Sequence, residues 1–305
     1  MKFRTNTTMT KILDALFTSY SERVPDVKKI TNEMINKGMV KNQSDIINDH
    51  IAFRTMGVKN LGIASFEKIF LAHGYEKRDF FHFKIKKLDA YWYSPPTVDL
   101  PRIFISELKV DFLPEAVQKI IRKYTETITV DPVDQIDLDD AKVVSAYFQT
   151  PLWALPTIED YEILLTESEY AAWVIYNRYY LNHYTISVHD LPEEYCTLEP
   201  FNEFLKSIGI QLNTSGGEIK TSEDKLLRQT SSVANKVIAQ FYGNQTKEIA
   251  GSYVEFAERG VLPQYDMIPK NELKREQRRE GFEIGNADLI FESTFTLQIK
   301  NKKLC

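Results

Sequence analysis

Cysteine is almost missing from this chain: Cys196 and Cys305 are the two among 305 residues. A disulfide framework is thereby excluded, and their separation matches no metal-ligand spacing, so both read as packing or exposed thiols. Long apolar runs are missing as well. No stretch approaches the roughly 18 apolar residues of a membrane span, and residues 1–6 lack the apolar core of a signal peptide, so a cytoplasmic address is expected. Basic charge is not in excess either, since 38 Lys and Arg face 43 Asp and Glu. The resulting net charge of −5 argues against nucleic acid or a membrane surface as partner. One basic stretch, 270–280, interleaves its cations with glutamates at helical spacing and reads as a solvated helix face. What is present, 43% hydrophobic and 27% charged residues, suffices for one large soluble domain or two modest ones.

The first informative stretch is 49–55, Asp-His-Ile-Ala-Phe-Arg-Thr. Strand alternation sends His50, Ala52 and Arg54 to one face, so a potential metal ligand and a guanidinium share a side. Before it, 8–38 reads as two covering helices broken at Val24-Pro25 and closed by Gly38. After it come a helix over 60–73 and strands over 79–85, 90–93 and 102–110, giving the order β-α-β-β-β. An amphipathic helix over 113–125 and a longer helix over 158–178 follow.

The first pattern then returns. Asn182 to Ser187 is a strand with a histidine, and Phe201, Phe204, Leu205, Ile208 and Gly209 repeat the spacing of Phe66, Ile69, Phe70, His73 and Gly74. Strands are expected over 225–231, 236–242 and 252–258, completing a second β-α-β-β-β unit. A duplication predicts equivalent residues, and both closing strands carry a glutamate. His50, Glu107, His183 and Glu255 are therefore candidate ligands, with Glu107 on an otherwise apolar face where it needs a partner. His73, His82 and His189 read as structural, at a helix end, on an outward strand face and in a loop. Two imidazoles and one carboxylate leave open positions on an octahedral metal, which suits iron(II) and equally zinc.

These motifs resemble the 2-oxoadipate dioxygenase/decarboxylases, also called 2-hydroxyglutarate synthases. The likeness runs through His-Ile-Ala-Phe-Arg-Thr at 50–55, Lys-Lys-Leu-Asp-Ala-Tyr-Trp-Tyr-Ser-Pro-Pro at 86–96 and Pro-Arg-Ile-Phe-Ile-Ser-Glu-Leu at 101–108. It continues at 167–173, 182–185, 252–260 and 285–294. The resemblance implies an α+β fold in which duplicated β-α-β-β-β modules form a metal-binding cup of the vicinal-oxygen-chelate kind, with added helices. It implies a single metalloenzyme domain over 1–305, divided into a helical cover (1–46), first module (47–112), helical insert (113–178), second module (179–262) and C-terminal segment (263–305). It implies Fe(II) on His50, His183 and Glu255, with Arg54 neutralising a carboxylate beside it and Glu107 as an outer-shell or pocket residue. Ser293 and Thr294 would hold the far carboxylate, or else form a strand end with local hydrogen bonds. The implied reaction takes a 2-oxo acid and O2, converting 2-oxoadipate to 2-hydroxyglutarate plus CO2 in lysine catabolism. The same cup also supports isomerases, ring-cleaving dioxygenases and non-catalytic ligand-binding modules, and these stay open here.

Overall fold

The computed structural model describes Phe3, residues 6–300 and Lys302; the readings of Cys305 and of residues 1, 2, 4 and 5 lie outside the described residues. α1 (Thr8–Arg23) begins where the Thr7 and Thr10 hydroxyls and backbones cap one another, and α2 (Pro25–Asn36) begins on a proline. α1 lays Phe17 and Tyr20 on the outer face of the sheet, with the Phe17 and Tyr184 rings 5.0 Å apart.

β1 (Asn48–Met56), α3 (Ile63–Leu71), β2 (Glu76–Phe83), β3 (Leu88–Ser94) and β4 (Arg102–Leu108) form the first module. α3 packs Phe66 and Phe70 on Phe53 of β1, with ring centroids 4.9 and 5.7 Å away. The insert holds α4 (Glu115–Thr125), α5 (Ala141–Tyr147), α6 (Ile158–Glu167) and α7 (Glu169–Asn177). The long helix expected over 158–178 is two helices. Ser168 adopts an extended conformation (φ −153°, ψ 105°) and its hydroxyl accepts from the Ala171 amide, starting a new helix rather than continuing the old one.

The second module comprises β5 (His183–Ser187), α8 (Leu198–Ser207), β6 (Lys220–Thr221), β7 (Leu227–Ser231) and, after an inserted hairpin of β8 (Lys236–Gln240) and β9 (Thr246–Ala250), β10 (Tyr253–Arg259). The main sheet runs β2-β3-β4-β1-β5-β10-β7-β6, so each module orders its strands the same way outward from the β1/β5 seam. The duplication is correct, but two strands are reassigned. β8 pairs with β9 in a separate sheet, and the edge position belongs to the two-residue β6, too short to leave a periodic signal.

α9 (Ile284–Ile290) and α10 (Thr296–Ile299) close the cup. The stretch 270–280 is not a helix. It forms two short 3₁₀ turns whose arginines reach inward: Arg275 donates to the Val98 and Leu100 carbonyls at 2.6 and 2.7 Å, and Arg278 to the Arg259 carbonyl at 2.8 Å. Backbone acceptors on the cup wall, rather than helical neighbours, decide where these cations point.

Candidate metal centre

β1 and β5 are antiparallel neighbours with Ala52 opposite His183, and β10 runs parallel to β5 with Tyr253 beside His183. Side chains at paired positions share a face, so the alternation that turns His50 inward also turns His183 and Glu255 inward. Their ligating atoms lie within 4.8 Å of one another. His50 Nε2 is 3.4 Å from Glu255 Oε1, and His183 Nε2 is 3.1 Å from Glu255 Oε2. All three are buried, with 2, 7 and 1% of their surfaces exposed.

Each imidazole is oriented by the residue before it. His50 Nδ1 lies 2.8 Å from Asp49 Oδ2, and His183 Nδ1 lies 3.0 Å from Asn182 Oδ1. A neutral ring that donates from Nδ1 presents a lone pair at Nε2, so two lone pairs face the Glu255 carboxylate, and the Thr185 hydroxyl lies 3.0 Å from the one on His50. Acceptors facing one another in a buried site repel unless a cation lies between them. The donor set therefore fits a divalent metal. Burial works to raise the Glu255 carboxyl, yet the two imidazoles, when protonated, hold it well below the usual carboxylate range. Burial lowers both imidazoles, but for His50 the Glu255 and Asp49 carboxylates outweigh it and the net shift is upward, whereas His183 stays lowered.

The strand register explains why three potential ligands converge here. Thr185 pairs with Glu255, and the equivalent Ala52 pairs with Phe104, so an apolar ring occupies the place of a second carboxylate. Phe282 stands 5.0 Å from Phe104 and 4.8 Å from His50. That side of the triad is apolar and offers no further ligand among the described residues.

Glu107 is not part of this arrangement. It pairs with Thr55 on the opposite face of the sheet, and its Oε2 accepts from the Ile63 amide at 2.8 Å, capping the start of α3. Its true counterpart is Glu258, whose Oε2 accepts from the Leu198 amide at 2.9 Å at the start of α8. The expectation of Glu107 as a pocket residue is therefore corrected: the repeat pairs it with Glu258, one pleat out of phase with Glu255. A surface cleft of about 660 Å³ beside Glu107 opens on this outer face and does not reach the triad.

Arg54 is 1% exposed on the inward face. Its Nη1 donates to Thr294 Oγ1 at 2.9 Å and its Nη2 to the Phe291 carbonyl at 3.0 Å, while the buried Nε has no hydrogen-bond partner. Among the described residues no carboxylate forms an ion pair with it. Ser293 and Thr294 lie in a 3₁₀ turn, Phe291–Thr294, not at a strand end, and both are buried. Ser293 Oγ lies 2.8 Å from Ser231 Oγ and 3.0 Å from Asn213 Nδ2. A cavity of about 250 Å³ reaches Tyr170 and Phe291, whose rings flank Arg54.

Sequence reasoning passed over four neighbours. Asp49 and Asn182 were visible as a short polar acceptor before each histidine, a second feature of the repeat. Gln229 Nε2 donates to Glu255 Oε1 at 2.7 Å, and Lys220 lies buried beside Gln229, lowered by burial to about 8. Neither left a signal, because both sit on strands whose pairing only the fold defines. His82 is half-exposed and bonds Asp89, and His189 accepts from the Arg259 amide, as structural histidines do.

Duplicated modules sharing one sheet, with an inward His-His-Glu set at its centre, define a vicinal-oxygen-chelate-like protein with a candidate metal site. A family model described as 2-oxoadipate dioxygenase/decarboxylase matches residues 12–275. The chain is 41% identical over 304 residues to the chloroplastic 2-oxoadipate dioxygenase/decarboxylase of Arabidopsis thaliana, covering 95% of this chain and 78% of that protein. The crystal structure of hydroxyglutarate synthase from Oryza sativa in complex with 2-oxoadipate superposes with a TM-score of 0.87 at 40% identity, covering 95% and 93% of the two chains. A Ralstonia eutropha protein described as a glyoxalase-superfamily member shares the fold, with a TM-score of 0.70 at 20% identity over 90% and 85% of the chains. The chain belongs to the 2-oxoadipate dioxygenase/decarboxylase family and is an enzyme of that oxidoreductase class. No described helix is long and apolar enough to cross a membrane.

Proposed function

We propose that this protein converts 2-oxoadipate and O2 to 2-hydroxyglutarate and CO2 in an iron(II)-dependent reaction. The observation that carries the reading is the buried His50, His183 and Glu255 set, in a chain whose Oryza sativa relative was solved with 2-oxoadipate. Iron(II) held by these three residues would supply the activation of oxygen. The remaining chemistry belongs to the protein. Arg54, buried without a carboxylate partner among the described residues, holds one substrate carboxylate as a fork. Ser293 and Thr294 remain candidates for holding a carboxylate through amides of their turn, since their hydroxyls already donate to the Ile290 and Phe291 carbonyls, while Phe104 and Phe282 exclude water from the reacting end. Glu107 has no part in this proposal.

The division of 1–305 into one catalytic domain, with the two modules at 47–112 and 179–262, is supported by the single sheet that runs through both. A cytoplasmic address is likewise proposed, and the chloroplastic naming of the plant relative makes cell fractionation its test.

Anaerobic reconstitution with iron(II), followed by oxygen uptake and product analysis, tests the activity. The panel is 2-oxoadipate, 2-oxoglutarate and 2-oxohexanoate. One CO2 and one 2-hydroxyglutarate per O2 are expected from 2-oxoadipate, with the mono-acid strongly disfavoured because it leaves a buried anion partner unpaired. Formation of neither product from 2-oxoadipate by iron-loaded protein sinks the proposal. His50→Ala, His183→Ala and Glu255→Ala should each abolish stoichiometric metal binding.

A further inference from the structure

The two imidazoles of the triad are related by the duplication, yet they are not backed alike. Asn182 offers His183 a neutral amide oxygen at 3.0 Å. Asp49 offers His50 a carboxylate at 2.8 Å. That carboxylate is itself fully engaged: Arg259 Nε and Nη2 donate to its two oxygens at 2.7 and 2.8 Å, and Arg102 Nη1 donates to Oδ1 at 3.2 Å. Asp49, Arg102 and Arg259 are each 1 to 2% exposed, so the group is an ionic cluster inside the protein.

The same two arginines hold the chain that returns over the site. Arg102 pairs with Glu280, and Arg259 Nη1 donates to the Arg279 and Gly281 carbonyls at 3.0 and 2.8 Å. The next residue, Phe282, sets its ring edge against His50 at 4.8 Å and 82°. His50 is thus fixed at its Nδ1 by Asp49 and on its flank by Phe282, and both are fixed by Arg102 and Arg259. Among the described residues nothing comparable surrounds His183, whose ring lies against Tyr253 at 4.7 Å.

We propose that Asp49 is a positioning residue that makes His50 the stronger of two unequal imidazole donors, with Arg102 and Arg259 locking that carboxylate to the segment that closes the cup. The inference rests on the metal reading of the triad. A carboxylate accepting from Nδ1 draws the proton away from the ring and increases electron density at Nε2, whereas an amide does so far less. The guanidinium pair engages both Asp49 oxygens and prevents their rotation away from the ring. The duplicated fold supplies two copies of one ligand position, and the residue before each copy sets its donor strength.

The test uses zinc(II) and cobalt(II), so that the readout is independent of turnover. Affinity is measured by competition with a chromophoric chelator for the parent and for Asp49→Asn, which gives His50 the same backing as His183. The variant should bind about 10- to 100-fold more weakly, with an altered cobalt(II) absorption spectrum. Because Asp49→Asn also strips a counter-charge from two buried arginines, a second measurement uses the unaltered protein. In the zinc-loaded parent, two exchange-protected imidazole Nδ1–H proton resonances are expected, with the His50 resonance further downfield. A folded Asp49→Asn variant that binds within twofold of the parent, or equal Nδ1–H shifts for the two rings, overturns the proposal while leaving the metal site intact. Failure of the parent to bind either metal overturns the metal reading and the proposal together.

Discussion

Arg54 shows how much a single side chain can reveal when its partners are counted. A guanidinium that is buried, forms no ion pair with a carboxylate among the described residues and has an unbonded Nε can take up an anion. Its existing bonds to Thr294 and to the Phe291 carbonyl use one nitrogen each and orient the fork inward. Arg54→Lys preserves the charge but not the two-pronged geometry. The variant should bind metal as the parent does and lose roughly 10- to 100-fold in kcat/KM for 2-oxoadipate, the scale of one charge-assisted hydrogen bond. Parent-like kinetics would remove Arg54 from substrate binding. The residue was legible because alternation from His50 requires no knowledge of the fold.

At the scale of elements, the informative case is the pair of crossover helices. α3 and α8 each begin without a capping side chain of their own, and each takes a carboxylate from the closing strand of its module instead. Gly62 precedes α3 at φ +85°, where a Cβ would collide with Glu107 Oε2, so the carboxylate and the glycine fit one another. Glu107→Ala should lower stability by about 1 to 2 kcal/mol, since the Ile63 amide loses its acceptor, and leave zinc(II) affinity unchanged. Denaturant unfolding beside a metal titration checks both halves. A loss of metal affinity would return Glu107 to the site. Sequence symmetry pointed to a glutamate on both closing strands, correctly, but it matched Glu107 with the wrong one of two glutamates three residues apart.

For the molecule as a whole, the triad draws on β1 from one module and on β5 and β10 from the other. A metal held there bonds both modules across their seam, so its binding energy is added to the folded state alone. At a free metal concentration 100-fold above Kd the gain is about 2.7 kcal/mol. Zinc(II) should therefore raise the melting temperature in one cooperative step, and excess chelator should restore the metal-free value. Saturating metal with no thermal shift would show that the triad does not link the modules.

Several features needed only the chain itself. The period of two along 49–55 placed His50 and Arg54 together, and the recurring Phe-x-x-apolar-apolar spacing exposed the duplication, because both periodicities are local properties of strand and helix. Other features depended on partners remote in sequence. Whether a glutamate in β10 faces the histidines is set by the register of β10 on β5, and a shift of one residue would have sent it to the other face. The edge strand β6 has two residues and acquires its identity from β7 alone. The basic stretch 270–280 looked like a solvated helix because its acceptors, Val98, Leu100 and Arg259, are distant in the chain. Asp49 could be seen beside His50, but its role was decided by Arg102 and Arg259, 53 and 210 residues away, which only packing brings to the same carboxylate.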